Sequence, residues 1–226
     1  LNAAAMDATA ACSGFVYGLS VANGMMPDMG VETALVIGAE TLSRVIDWTD
    51  RNTCVLFADG GGAAVVRHQG GDSGILSTYM KSDGSAPPPW LAVTPGVADL
   101  SPLGDRVSKD FAITMEGREV FKFGVRALPD SVMGALKKTE GLTLEDVDWI
   151  IPHQANLRII DAAAKALDIP REKFIVNLER YGNTSAGTIP IALDEANRDG
   201  RIKEGDIVVL SGFGAGLTWG GVVIRW

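Results

Sequence analysis

The sequence is sparing with reactive side chains: two cysteines, Cys12 and Cys54, and two histidines, His68 and His153. Two cysteines are too few for a disulfide framework in a chain of 226 residues, and no Cys/His spacing matches a zinc site. That usage implies a reducing cytoplasm. No apolar run reaches the roughly 18 residues of a membrane span. No basic stretch leads into a short apolar one, so nothing signals secretion. Positive charge is also short: 20 Lys and Arg face 28 Asp and Glu, a net charge of −8. That argues against general nucleic-acid binding and leaves any acidic partner to a local basic patch.

What is present is the composition of a globular chain, 46% hydrophobic with 27 glycines, long enough for one large domain or two small ones. Ala3–Ala8 reads as a strand, Phe15–Met26 as a helix and Glu32–Ala39 as a buried strand. A polar connection, 41–58, leads to the glycine turn Asp59-Gly60-Gly61-Gly62 and the strand Ala63–Arg67. Gly74–Tyr79 begins a second part, and residues 82–110, rich in Pro, Gly and Asp, read as a loop. Thr114–Lys138 is helical with a kink expected at Pro129. Asp148–Ile151, Lys173–Leu178, Asp206–Leu210 and Gly221–Trp226 read as strands, Asn156–Leu167 and Ser185–Arg198 as helices. The alternation predicts an α/β fold with mostly parallel or mixed sheets covered by helices.

An internal repeat is visible. A turn bearing Cys12 is followed by helix, strand, glycines and strand; a turn bearing Asn183 is followed by the same series. This suggests two half-domains, residues 1–72 and 73–226, with both side chains at strand-to-helix turns, where open α/β sheets gather ligands.

Cys12 sits among Ala, Ser and Gly just before a helix, whose N-terminus would favour a thiolate. Context alone leaves it open between nucleophile and structural thiol. Cys54, in an apolar run, reads as structural. His153 ends a strand and opens Pro152-His153-Gln154-Ala155-Asn156, a place suited to a catalytic imidazole or to a capping one. His68 matches no motif and reads as surface. Asn183, in Gly182-Asn183-Thr184-Ser185, fits an N-cap and a ligand-facing amide equally. The glycine-rich 212–220 segment could offer backbone N–H groups to an oxyanion or be a plain tight turn. A strand follows it, so it is not a dinucleotide loop.

Together these stretches, with Phe57–Ala64, resemble the β-ketoacyl-acyl-carrier-protein synthase III family of the thiolase superfamily. The resemblance implies a thiolase-like fold and a cofactor-free acyltransferase that condenses an acyl-coenzyme A starter with malonyl-acyl-carrier protein in fatty-acid synthesis. It implies that Cys12 is the acylated nucleophile, that His153 and Asn183 bind the malonyl thioester carbonyl, and that the Cys12 and Ala215 N–H groups form the oxyanion hole. Arg51 would meet the adenine end of coenzyme A, with Gly117 and Asn156 lining the pantetheine tunnel. Lys122, Arg158 and Lys165 would meet the acidic carrier protein. A cytoplasmic homodimer is implied, with no membrane or nucleic-acid partner. Two departures stand out. Ala215 replaces a glycine found in some relatives. The family's further N-terminal segment, part of the first half-domain, is missing from this sequence. A polyketide starter synthase, similar to chalcone synthase, would share the triad. A papain-type protease shares the Cys–His–Asn order, but its surroundings of the cysteine are absent.

Overall fold

The computed structural model describes residues 3–85, 90–93 and 112–226. Thirteen named elements follow in chain order. Helix α1 (Gly14–Met29) leads to the antiparallel hairpin β1 (Thr33–Thr41) and β2 (Asp59–Arg67). Strand β3 (Gly74–Ser82) precedes the short pair β4 (Leu91–Val93) and β5 (Ile113–Met115). Then come α2 (Gly117–Leu136), β6 (Trp149–Pro152), α3 (Leu157–Leu167), the single turn α4 (Leu178–Tyr181) and α5 (Thr188–Arg198). Strands β7 (Ile207–Gly214) and β8 (Thr218–Arg225) close the chain.

The main sheet has the order β3-β8-β7-β6. Only β6 and β7 pair in parallel; β7–β8 and β3–β8 are antiparallel. The sheet is therefore mixed, and the mostly parallel arrangement expected from the alternation is confined to one pair. Helices α2 and α3 cover one face of this sheet, and α1 and α5 the other. Alternation along the strands divides the core between them. Val209 and Val223 pack with Leu128, Val132 and Ile160, whereas Val208, Leu210 and Val222 pack with Phe15, Val16 and Ile189. All eight residues of β7 are buried, as expected of a strand covered on both sides. The hairpin β1–β2 packs on the far side of α1 and α5, to which Val36, Ala64 and Val66 turn.

Several sequence expectations are corrected. Ala3–Ala8 forms no strand; it is exposed and pairs with no described neighbour. Lys173–Leu178 makes only one parallel bridge, Ile150 to Phe174, before the chain turns into α4. Gly60–Gly62 are not a turn but part of β2, just after its first residue. A Cβ at Gly60 would lie 2.8 Å from Thr184 Cγ2, and one at Gly62 would lie 2.8 Å from Pro190 Cβ. These glycines let α5 and the segment before it press onto the strand. Helix α2 starts at Gly117, because Ile113–Met115 is a strand, and it continues through Pro129. Within the expected loop 82–110, Leu91–Val93 pairs as β4; residues 86–89 and 94–110 lie outside the described residues.

The repeat is present as helix followed by antiparallel hairpin: α1-β1-β2 and α5-β7-β8. Each helix is preceded by a 3₁₀ turn, Ala11–Ser13 and Ser185–Gly187, whose first residue has positive φ (46° at Ala11, 51° at Ser185). Matched this way, Cys12 corresponds to Ala186, and Asn183 lies three residues earlier in its copy. The two side chains are not strict repeat counterparts.

Candidate active site

A cavity of about 210 Å³ opens where these elements meet. Cys12, His153, Asn183, Ala215, Gly117 and Asn156 all line it. The rest of its wall is largely apolar, with Leu56, Phe57, Met115, Phe121, Phe123 and Phe213. The volume suits a slender chain rather than a bulky ring system.

Cys12 lies in the 3₁₀ turn ahead of α1 and is buried. Two hydroxyls lash this turn to the β7–β8 connection. Ser13 Oγ donates to Ala10 O at 2.6 Å and lies 2.7 Å from Thr218 Oγ1, which in turn sits 3.0 Å from Ala10 O and 2.9 Å from Ala215 O. Gly214 makes the approach possible: a Cβ there would stand 2.7 Å from the Cys12 nitrogen. The segment that carries Ala215 is thereby held to the Cys12 turn. Ala215 is not among the residues with positive φ, so its methyl group costs nothing in backbone strain. Burial pushes the Cys12 thiol up to about 11; a hydrogen bond from Ser185 opposes this and the Glu40 carboxylate adds to it. Desolvation thus works against the thiolate that its place before a helix would favour.

His153 follows β6, and its N–H donates to Ser211 O at 2.7 Å, extending the β6–β7 ladder by one bond. Gln154 anchors the turn: its Nε2 donates to Pro152 O (2.8 Å) and Ile175 O (3.2 Å), and its Oε1 accepts from Asn177 N (3.2 Å). The imidazole is buried, with Phe213 edge-on at 5.2 Å. Nδ1 lies 2.8 Å from Thr188 Oγ1. Burial pushes the imidazole down to about 3, so the ring is neutral across the physiological range.

Asn183 is held by the 56–58 segment: its N–H donates to Leu56 O at 3.0 Å and its O accepts from Ala58 N at 2.9 Å. Its side-chain Oδ1 accepts the Ser185 N–H at 2.9 Å. Asn156 caps α3, its Oδ1 accepting the Arg158 N–H at 2.9 Å. Gly117 is the first residue of α2, so two helix N-termini look onto the cavity rim.

The remaining candidates lie apart from the cavity wall. Arg51 is exposed in the 41–58 connection. Lys122 is exposed on α2 and pairs with Glu119 at 2.7 Å. Arg158 is exposed in the first turn of α3, beside the cavity-lining Asn156, whereas Lys165 is in the last turn, roughly 10 Å further along the axis than Arg158. Thr188, Ser185 and Phe213 escaped the sequence reading as individual site residues. Thr188 resembles any helix-start threonine, and its five-residue spacing from Asn183 is the only signal available beforehand. Cys54 is partly buried and unpaired by any disulfide. Among the described residues no group of three or more His, Cys, Asp or Glu could hold a metal, and no helix is long and apolar enough to cross a membrane.

Comparison with known proteins gives the chain a family. Residues 6–84 match the family model for 3-oxoacyl-[acyl-carrier-protein] synthase III, and residues 137–226 match the model for its C-terminal part. A beta-ketoacyl-[acyl-carrier-protein] synthase III of Xanthomonas campestris pv. campestris is 49% identical over 223 residues, covering 98% of this chain and 67% of the relative. The crystal structure of the corresponding synthase from Thermus thermophilus superposes with a TM-score of 0.90 at 46% identity, covering 100% of this chain and 69% of that one. A priming β-ketosynthase from the R1128 polyketide pathway gives 0.85 at 33% identity, covering 99% of this chain and 66% of that one. With 169 residues under its models, a shared thiolase-type architecture and near half identity to curated members, the chain belongs to the β-ketoacyl-acyl-carrier-protein synthase III family of condensing acyltransferases.

Proposed function

We propose that this chain joins an acyl-coenzyme A starter to malonyl-acyl-carrier protein by decarboxylating Claisen condensation, the initiating step of fatty-acid synthesis. The observation that carries the reading is the convergence of Cys12, His153 and Asn183 on one narrow apolar cavity.

In the first half-reaction the Cys12 sulfur attacks the starter thioester as its proton leaves. The N–H groups of Cys12 and Ala215 receive the developing oxyanion. Coenzyme A departs as the thiol, leaving acyl-Cys12. In the second half-reaction malonyl-carrier protein loses carbon dioxide, and the bonding electrons pass to the thioester enolate. A neutral imidazole N–H of His153 and the amide Nδ2 of Asn183 stabilise that charge, each donor worth about 3 kcal/mol in the transition state. The carbanion attacks acyl-Cys12, releases the 3-ketoacyl product and returns the sulfur. Neutral donors suit this step, since a cationic imidazole would be expelled from so apolar a pocket.

The same reading assigns Gly117 and Asn156 to the pantetheine arm, Arg51 to the adenine end, and Lys122, Arg158 and Lys165 to the carrier protein. It divides the chain into halves 1–72 and 73–226, needs no cofactor, and describes a cytoplasmic homodimer. Intact-mass measurement across a panel of acyl-coenzyme A donors tests it: an acyl adduct on Cys12, absent in Cys12→Ala, followed by 3-ketoacyl product on adding malonyl-carrier protein. The likeness to the polyketide priming ketosynthase favours a second reading, in which the product primes a polyketide. Product formation with that pathway's carrier protein, and not with the fatty-acid carrier protein, would select it.

A further inference from the structure

We propose that Thr188 is a positioning residue that fixes the tautomer of His153, keeping its proton on Nε2 and hence aimed at the cavity; this rests on the enolate-binding role given to His153 above. A neutral imidazole carries one N–H, and which nitrogen bears it decides whether the ring offers the cavity a donor or an acceptor. Stabilising an enolate requires a donor. His153 Nδ1 lies 2.8 Å from Thr188 Oγ1, so this hydroxyl is the group that must settle the choice.

The hydroxyl has one proton and two acceptors in reach: His153 Nδ1, and the Ser185 carbonyl at 2.9 Å. The carbonyl already accepts the Thr188 backbone N–H, which closes the 3₁₀ turn Ser185–Gly187. It therefore loses little if the hydroxyl turns to the ring. A bare Nδ1 buried in an apolar wall loses much more without a donor. The Ser185 carbonyl also lies against the imidazole. With the hydroxyl removed, that carbonyl would be the polar atom left facing Nδ1. It would draw the ring proton to Nδ1 and leave Nε2 a lone pair where the enolate needs a hydrogen. Thr188 is buried at the first position of α5, and Phe213 holds the ring edge-on, so the ring and the hydroxyl meet in a fixed orientation.

The test uses Thr188→Val, which keeps the shape and deletes the hydroxyl, and Thr188→Ser, which keeps the hydroxyl. In a His68→Gln background His153 is the sole histidine, and its ring nitrogens are read by ¹⁵N NMR. The expected unaltered protein has protonated Nε2 and bare Nδ1, Thr188→Val has the reverse, and Thr188→Ser matches the unaltered protein. Decarboxylation of malonyl-carrier protein should fall about a hundredfold in kcat in Thr188→Val with KM little changed, by analogy with the loss when a catalytic imidazole is held in the wrong tautomer. Thr188→Ser should restore most of it. A protonated Nδ1 in the unaltered protein, or an unchanged tautomer in Thr188→Val, overturns the proposal. Decarboxylation by His153→Ala at the unaltered rate would instead overturn the role of His153, which the tautomer measurement does not depend on.

Discussion

The Ser185 N–H donates to Asn183 Oδ1 at 2.9 Å, and this one bond decides which end of the amide faces the cavity. With Oδ1 taken, Nδ2 is the end left to act on a substrate. The turn at Thr184, with φ −89° and ψ 26°, is what brings the Ser185 N–H back toward Asn183. Asn183→Asp keeps the shape and the Ser185 bond but replaces the donor by a carboxylate oxygen. We expect this variant to fold and to acylate Cys12, and to decarboxylate malonyl-carrier protein at least about a hundredfold more slowly, the loss of one oxyanion-type donor. Single-turnover measurement of the two half-reactions checks it; decarboxylation at the original rate would remove Asn183 from the reaction.

The nucleophile's surroundings were legible because small residues flank Cys12, and small residues next to a helix start mean that something must come close. What comes close was not legible. Gly214 is a residue in a glycine-rich segment until the fold sets it 2.7 Å, as a notional Cβ, from the Cys12 nitrogen. Gly60–Gly62 mislead in the same way: three glycines look like a turn, whereas tertiary contact with Thr184 and Pro190 is why they are needed inside a strand. Lys173–Leu178 has the apolar content of a strand, but only Phe174 bridges to β6. Periodicity reports burial, and burial beside a sheet is not membership of it.

Gly214→Ala should therefore damage site and stability together. The added methyl must displace backbone at Cys12, an overpacking cost of about 1–3 kcal/mol, and it should move the N–H that receives the oxyanion. Gly24→Ala is the contrasting change: a Cβ there meets nothing within 4 Å on helix α1, and the gain in helix propensity is about 0.5–1 kcal/mol. Thermal melts should separate the two in sign, and only Gly214→Ala should lower the rate of Cys12 acylation.

Two groups give opposite pH signatures. Burial puts the Cys12 thiol up at about 11 from an ordinary 9.0, so alkylation by iodoacetamide in the absence of substrate should climb about tenfold per pH unit from 7 through 9, with no plateau there. The raised value also means that this group's stabilising contribution is present below pH 9 and is lost as pH rises toward 11. His153 runs the other way. Its folded value of about 3 lies under its ordinary 6.5, so the unfolded chain binds the extra proton and stability falls as pH drops from 6.5 toward 3. Melting temperatures between pH 4 and 7 should slope less in His153→Gln than in the unaltered protein. Equal slopes would mean that His153 is not buried neutral.

Lys122 lies on α2, whose first residue Gly117 lines the cavity, and Arg158 lies on α3, whose N-cap Asn156 lines it too. Lys122 already pairs with Glu119 at 2.7 Å, an exposed pair worth no more than about 1 kcal/mol, so a carrier protein can compete for it. Lys122→Glu combined with Arg158→Glu should raise the KM for malonyl-carrier protein by about tenfold or more, roughly 1.4 kcal/mol. The KM of the unaltered protein should itself rise with salt. Acylation by acyl-coenzyme A should change much less. Equal loss in both half-reactions would place the docking face elsewhere, and Lys165→Glu, far along α3, should have the smaller effect of the three.

Among the described residues, the hairpin β1–β2 has one face on α1 and α5 and the other bare. Leu35 and Ile37 are each 61% exposed and Val65 is 68% exposed, all on that outer face, with β1 and β2 in register so that Leu35 lies directly opposite Val65. Contrast β7, whose eight residues are covered on both sides. A two-stranded ribbon with an exposed apolar face and unpaired edges associates with whatever covers it. The chain of residues 1–226 should therefore self-associate through this face. Leu35→Lys with Val65→Lys should shift sedimentation toward the single chain and lower binding of an apolar dye. The same pair of changes should leave the melting temperature nearly unaltered, because neither side chain contributes to the buried core. Self-association that persists unchanged in the double variant would mean that another surface, such as the exposed Trp48 and Val55 of the 41–58 connection, drives it.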